Sequence, residues 1–219
     1  MIDYQKITKK SYDKISKEWD SKRSYIWSPV KVFLESLEKK EKLKLLDLGC
    51  GTGRFLQLAQ KQGFQNKNII GYDYSTGQLN ITKSKGFQTQ IGDLINLPFL
   101  NSSFDVILCI AAHHHLLEKE SQIKALKEMK RVLKPNGKIL LSNWHPSKDF
   151  SITQEEKRKF VYLDKNRKKV KVTFTMDNKK YDRYYYMFEP EEIKILCKEA
   201  GFKILDTFQN RGNLYLTLN

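Results

Sequence analysis

Residues 46–55 read Leu-Asp-Leu-Gly-Cys-Gly-Thr-Gly-Arg-Phe, an apolar run that ends in three alternating glycines and reopens as an amphipathic stretch. No other feature constrains the fold as much. A strand must stop there, the chain must turn tightly, and a helix must begin with its N-terminus facing the turn. Glycines let the backbone approach a ligand closely, and the free amides of the first helical turn face it. A dinucleotide fingerprint would want Gly-x-Gly-x-x-Gly, and Arg54 stands where its third glycine would be. Asp47, two residues before Gly49, suits a cationic group on the ligand better than a pyrophosphate.

The same strand-then-helix pattern recurs around this loop. Strands are expected over 44–49, 68–73, 87–91, 104–110 and 137–144, with helices over 53–62, 76–85 and 119–134. Two helices precede them, over 4–18 and 28–40, the second with Ser28 as N-cap and Pro29 in its first turn. A helix over 190–201, opened by Pro190 and ended by Gly201, and two strands around the turn at 209–212 close the chain. Such alternation predicts an α/β fold with a mostly parallel sheet covered on both faces, and the closing hairpin makes one strand antiparallel. The 219 residues read as a single domain: a helical N-terminal cap over 1–40, the sheet, and a substrate-side insert over 145–182. The insert is expected at the carboxyl edge of the sheet, with a small hairpin about 164–167.

Two further acids end the next strands. Asp73 closes Ile-Ile-Gly-Tyr-Asp, where a carboxylate can accept from both hydroxyls of a ribose. Asp93, after Gly92, is placed to hold an adenine amine, and Tyr74, Leu94 and Ile110 complete the expected cofactor wall together with Gly51 and Gly53. Each acid alone reads as a turn residue or helix cap. Three at successive strand ends read as a site.

The chain has only four histidines, and His113, His114 and His115 are adjacent. Neighbouring side chains diverge on a strand and fan out on a helix, so one tetrahedral site is hard to build from all three. His145, Cys50, Cys109 and Cys197 show no paired metal-ligand spacing, so no metal is expected. Scattered cysteines fit a reducing compartment, and no apolar run approaches a membrane span, so the expectation is a cytoplasmic protein with no membrane partner. The formal charge of +15, from 40 Lys and Arg against 25 Asp and Glu, favours a polyanionic partner. Residues 155–174 concentrate Lys157, Arg158, Lys159, Lys165, Arg167, Lys168, Lys169 and Lys171 among aromatic and β-branched residues.

Asp47 to Gly53, Asp73, Gly92-Asp93, Phe-Asp-Val-Ile and Arg-Val-Leu-Lys-Pro-Asn-Gly-Lys-Ile-Leu-Leu together resemble the ordered motifs of class I S-adenosylmethionine-dependent methyltransferases. The resemblance covers residues 44–144 and implies a Rossmann-like seven-stranded sheet with one reversed strand and S-adenosylmethionine as cofactor. It also puts the histidine triplet beyond the fourth strand, facing the transferable methyl.

A narrower resemblance, to the tRNA wobble-uridine carboxymethyl methyltransferases, lies outside those motifs. It is carried by Arg23, Trp27 and Pro29, by Ala111 with His114 and His115, by Trp144, and by Arg183, Tyr184 and Tyr185. The chain departs from that pattern at Tyr186, where the family has His, at His113 in place of an aliphatic residue, and at Ser28 between Trp27 and Pro29. The resemblance implies esterification of a carboxylate on the anticodon's wobble uridine. Arg23 and Arg183 would clamp the anion, with His114 or His115 donating a hydrogen bond. Trp27, Trp144 and Tyr185 would stack the base, while Lys165, Arg167 and Lys168 would meet phosphates. A small zinc-binding activator subunit on the sheet edge is a partner used by relatives. Two other readings stand beside this one: a small-molecule methyltransferase acting on a quinone or a hydroxy or carboxylic acid, and a cofactor-binding regulatory or RNA-binding protein without turnover.

Overall fold

The computed structural model describes residues 2–22, 27–145 and 160–219. In chain order these form α1 (Tyr4–Ser21), α2 (Ser28–Glu35), β1 (Leu45–Leu48), α3 (Arg54–Lys61), β2 (Ile69–Asp73), α4 (Thr76–Ser84), β3 (Gln88–Ile91), β4 (Phe104–Ile110), α5 (Lys119–Val132), β5 (Leu133–Trp144), β6 (Phe160–Tyr162), β7 (Lys169–Met176), β8 (Lys179–Tyr186), α6 (Pro190–Glu199), β9 (Ile204–Asn210) and β10 (Asn213–Leu218). Seven strands make one sheet in the order β3-β2-β1-β4-β5-β10-β9. Pairings from β3 through β5 are all parallel, and β10 runs antiparallel to both of its neighbours. One strand is therefore reversed, as the closing hairpin requires.

Alternate strand residues serve two apolar layers. Leu46, Leu48, Ile107, Cys109 and Leu141 pack with buried residues of α5 and α6, while Leu45, Val106, Leu108 and Leu140 pack with α2, α3 and α4. Each fully buried leucine of this kind stabilises the fold by about 1.5–3 kcal/mol. Asp47 interrupts that pattern in β1.

The second helix is shorter than expected. Trp27, not Ser28, is its N-cap, Pro29 sits in the first turn, and the helix stops at Ser36. The following Glu38, Lys39 and Lys40 offer no apolar face, and Lys39 turns the chain with φ +50°. No helix among the described residues is long and apolar enough to cross a membrane.

The insert is a second sheet, β6-β7-β8, antiparallel throughout. Its first turn falls where the hairpin is expected. There Asp164 Oδ1 accepts from the amides of Lys168 (2.9 Å) and Lys169 (3.0 Å), and Arg167 takes φ +56°. A second hairpin turns on Asp177 and Asn178, both left-handed (φ +49° and +58°), the geometry that a two-residue turn demands. The expected insert boundary at residue 182 thus falls inside a strand, and Arg183 belongs to the insert's own sheet. Arg23, Lys157, Arg158 and Lys159 lie outside the described residues.

Candidate functional site

Strand order reverses between β1 and β4, and the crevice beyond their carboxyl ends is where an open α/β sheet binds ligands. A cavity of about 900 Å³, open solvent at its mouth included, lies there. Its floor is Gly49 to Thr52, one wall is Tyr72 to Tyr74 with Gly92 to Leu94, and the other is Ile110 to Ala112 with His115. Gly51, Tyr74, Leu94 and Ile110 are among the residues that line the cavity. Asp47 lies one step below the floor, and Gly53 starts α3 behind it.

Close approach explains the first glycine. A Cβ on Gly49 would sit 2.2 Å from that of Ala112, and the residue holds φ +70°. The two loops are tied together by Asp73, whose carboxylate oxygens accept from the amides of Gly51 and Ser75, each at 2.9 Å. Burial pushes the Asp73 carboxyl up to about 6 in spite of these hydrogen bonds.

Asp47 is 1 % exposed and neither of its oxygens has a partner. Burial raises its carboxyl to about 8, Arg54 opposing and Asp73 adding to the rise. The Tyr74 hydroxyl and Gln78 Oε1 are also buried without partners, and both residues line the cavity. An acid that needs a cation, polar atoms that need partners and a loop without room for a Cβ fit a ligand carrying an ammonium group and several polar edges. Asp93 already accepts from Gln5 Nε2 (3.1 Å) and from the Ile95 amide (3.2 Å).

The histidines form a single 3-10 turn after β4 and take three separate roles. His113 is fully buried, stacks on Phe188 at 5.4 Å and donates from Nε2 to the Gln122 carbonyl (3.0 Å). Burial lowers its pKa to about 4, so it is neutral. His114 Nδ1 accepts from the Trp144 amide (3.0 Å). His115 alone reaches the cavity. Its Nδ1 faces the Tyr184 carbonyl (2.7 Å), which can only accept, so in the neutral ring Nε2 accepts from the Tyr12 hydroxyl (3.1 Å). Among the described residues, no group of three or more His, Cys, Asp or Glu is placed to hold a metal ion.

Helix α1 roofs the cavity. Gln5, Tyr12 and Trp19, spaced by seven, line it from one helix face. The roof is fastened on two sides. Asp13 Oδ1 accepts from Ser75 Oγ (2.7 Å) and the Gly77 amide (3.0 Å), while Ser11 and Thr8 bond the backbone of β8. Sequence reasoning about motifs missed these roof residues, although their seven-residue spacing was there to be read.

Arg183 enters from β8 and is 5 % exposed. Its guanidinium lies 4.6 Å from the Trp19 ring centroid and within 6 Å of Tyr12, Phe174 and Tyr185. Its Nε has no partner, and among the described residues no carboxylate pairs with it. A permanently charged guanidinium in an aromatic box has the chemistry to receive an anion.

Of the remaining sequence candidates, Trp144 and Tyr185 meet each other and the ring of His114, while the others lie in separate places. Trp144 and Tyr185 stack on each other at 4.1 Å, leaving no gap for a base between them. Trp27 packs edge-on to Phe55 and Tyr215, with the Arg54 guanidinium over its face at 4.8 Å. Lys165 and Arg167 are exposed on the β6–β7 turn, Arg167 over the Tyr162 ring. Lys168 pairs with Glu192 at 2.7 Å.

Comparison with known proteins converges on one family. The methyltransferase-domain family model matches residues 46–141. A protein of Encephalitozoon cuniculi named as a methyltransferase is 32% identical over 215 residues, 98% of this chain and 95% of its own length. The tRNA (carboxymethyluridine(34)-5-O)-methyltransferase of Schizosaccharomyces pombe is 28% identical over 94% of this chain and 92% of that protein. The Arabidopsis thaliana protein of that name is 35% identical over 64% of this chain, which spans only 33% of its length. A methyltransferase solved in complex with the Haloferax volcanii Trm112 methyltransferase activator shares the fold, with TM-score 0.72 and 16% identity over 96% of both chains.

Proposed function

This chain belongs to the class I S-adenosylmethionine-dependent methyltransferases, and from that premise we propose that it esterifies the carboxylate of a carboxymethyl-type uridine at the wobble position of tRNA. Arg183 carries the reading. A buried cation with no acid partner among the described residues, boxed by Tyr12, Trp19, Phe174 and Tyr185, calls for an anionic substrate group beside the cavity. Similarity to tRNA carboxymethyluridine methyltransferases supports the same choice.

When bound, the cofactor supplies an electrophilic methyl on a sulfonium sulfur. Asp47, buried with both oxygens unsatisfied, would hold its ammonium group, while Asp73 would hold its ribose and Asp93 its adenine edge from the cavity wall. A substrate carboxylate has a reference pKa of about 4, so it is ionised at neutral pH and needs no general base. The protein's task is to hold that anion, exclude water and align it. The planar fork of Arg183 matches a carboxylate bidentately. His115, with its Nδ1 proton given to Tyr184, orients the Tyr12 hydroxyl toward the cavity instead of donating to the anion itself. His114, bonded to the Trp144 amide, fixes the end of β5. With Trp144 and Tyr185 stacked on each other, Tyr12 and Trp19 are the aromatic surfaces offered to a base at the cavity wall. Arg23 shares the anion in this proposal from the segment that follows α1.

The proposal includes an activator subunit adding a strand to β3. That strand ends the sheet, and Ile91 on it is 49% exposed.

The test is mass spectrometry of tRNA nucleosides after incubation with the protein and labelled S-adenosylmethionine. Methyl ester should appear in tRNA carrying the acidic wobble uridine and be absent from tRNA of cells unable to make that acid. Equal labelling of both pools would reject the carboxylate reading.

A further inference from the structure

We propose that the outer face of α1 is a docking track for the RNA backbone, with Lys6, Lys10, Lys14 and Lys17 receiving the phosphates that flank the base held in the cavity. The proposal rests on the RNA reading above and places the contact on a different element from the one that composition suggested.

Spacings of four, four and three put these lysines on one arc of the helix. The opposite arc is the one that works inward: Thr8, Ser11 and Ile15 are buried, and Gln5, Tyr12 and Trp19 line the cavity. All four lysines are exposed. Among the described residues none of them has an acid within ion-pair distance, while the other two lysines of this region are taken, Lys9 by Asp13 and Lys22 by Glu18. Like charges one turn apart destabilise a helix. Among the described residues no ion pair to these four lysines offsets that cost, so the arrangement suits an external polyanion.

The insert provides the contrast. Its lysines spend their charge within the chain: Lys168 on Glu192 (2.7 Å), Lys169 on Glu118 (2.8 Å) and Lys171 on Asp182 (3.6 Å). The first two pairs fasten the insert to α6 and to the start of α5, the third ties β7 to β8, and together they leave less charge for phosphates than the residue count implies. The α1 row spans about 16 Å at the helical rise, long enough for several phosphates of one strand. The row is carried by the helix whose opposite face lines the cavity, so a strand docked on it lies one helix diameter, about 10 Å, from the cavity and reaches it by passing round α1. A lipid surface fits less well, because the apolar side of α1 is turned into the protein and the exposed side has nothing to insert.

The experiment replaces all four lysines by glutamine (K6Q/K10Q/K14Q/K17Q) and measures bulk tRNA binding over a range of salt, beside wild type and a K168Q/K169Q variant. Each phosphate contact contributes about 0.7 to the slope of log affinity against log salt for a single strand, so the α1 variant should lose roughly 3 from that slope. Its affinity at physiological salt should fall about tenfold or more, with S-adenosylmethionine affinity unchanged by calorimetry. The insert variant should move the slope by less. A wild-type slope retained by the α1 variant, with tRNA methylation intact, would overturn the track and leave the proposed function standing. Salt-independent or absent tRNA binding by wild type would sink both. Loss of binding to phosphatidylserine vesicles with tRNA binding unaltered would reassign the row to a membrane surface.

Discussion

The floor of the cavity, built on β1 to β4, and its roof, built on α1 and β8, face each other across the same space but are assembled in different ways. On the floor, the side chains that matter sit within a few residues of a strand end, and their contacts join only the loops at the ends of adjacent strands. Asp73 bonds to Ser75 two residues on, and Gly49 and Cys50 bond back to the Tyr72 carbonyl beside them in the sheet. The roof depends on contacts between distant parts of the chain. Tyr12 meets His115 and Tyr185, 103 and 173 positions away, and Thr8 meets Tyr184 across 176. A floor of local geometry suits a cofactor that never changes. A roof drawn from separate segments can be altered one element at a time, which is what a change of substrate requires.

The largest effect should come from closing the floor. Gly49→Ala forces a Cβ to 2.2 Å from Ala112 in a residue at φ +70°, and should destabilise the protein by about 3 kcal/mol and weaken cofactor binding more than a hundredfold. Gly63→Ala, also at positive φ but with open space around it, should cost about 1–2 kcal/mol and leave the cofactor alone. Denaturant titration of the pair checks this, and equal losses would mean that Gly49 is conformational only.

Asp47→Asn should separate binding from stability. Cofactor affinity should fall about a hundredfold, because a buried charge-assisted contact is lost. The unliganded protein should become more stable, by roughly 3 kcal/mol at pH 7. The sign follows from the proton count. With a folded pKa of about 8 against 3.8 unfolded, the folded chain holds a proton that the unfolded chain has released, so wild-type stability falls as pH rises through that window. The gain should therefore vanish below about pH 4. Cofactor affinity of the wild type should rise as pH passes through about 8, and a flat profile would show that no cation meets Asp47.

Much of the floor was legible because motif spacing and local geometry coincide there. The glycines, Asp47, Asp73 and the succession of strands along the chain followed from runs of fewer than ten residues, and β4 spans the residues expected for it, Phe104–Ile110. The roof was half legible. Arg183, His115 and Tyr185 were singled out as neighbours of one substrate, but the contacts they make with α1 were not. That Tyr12 joins His115 to Tyr185, that Trp19 lies over Arg183, and that Trp144 and Tyr185 occupy each other's faces all depend on how α1 and the insert dock. The Asp177–Asn178 turn was a local signal left unread, and with it the strand that carries Arg183.

A smaller effect should come from unfastening the roof. Partial burial alone would raise the Asp13 carboxyl, but the Gly77 amide, the Ser75 hydroxyl and Lys9 outweigh it and hold it below the usual range. Asp13→Ala removes that latch, worth about 1.5 kcal/mol, so α1 amides should exchange roughly tenfold faster while those of β1 to β4 keep their protection. Uniform acceleration would mean that roof and floor open as one unit.

The division of labour is tested most directly by Arg183→Met, which keeps the side-chain volume and removes the charge. Cofactor affinity by calorimetry and methyl transfer to acid-bearing tRNA are measured on the same preparation. The account predicts a cofactor affinity within about twofold of wild type and transfer reduced about a hundredfold, the loss expected from deleting one transition-state charge contact. Transfer at the wild-type rate, or cofactor affinity falling in step with transfer, would contradict it.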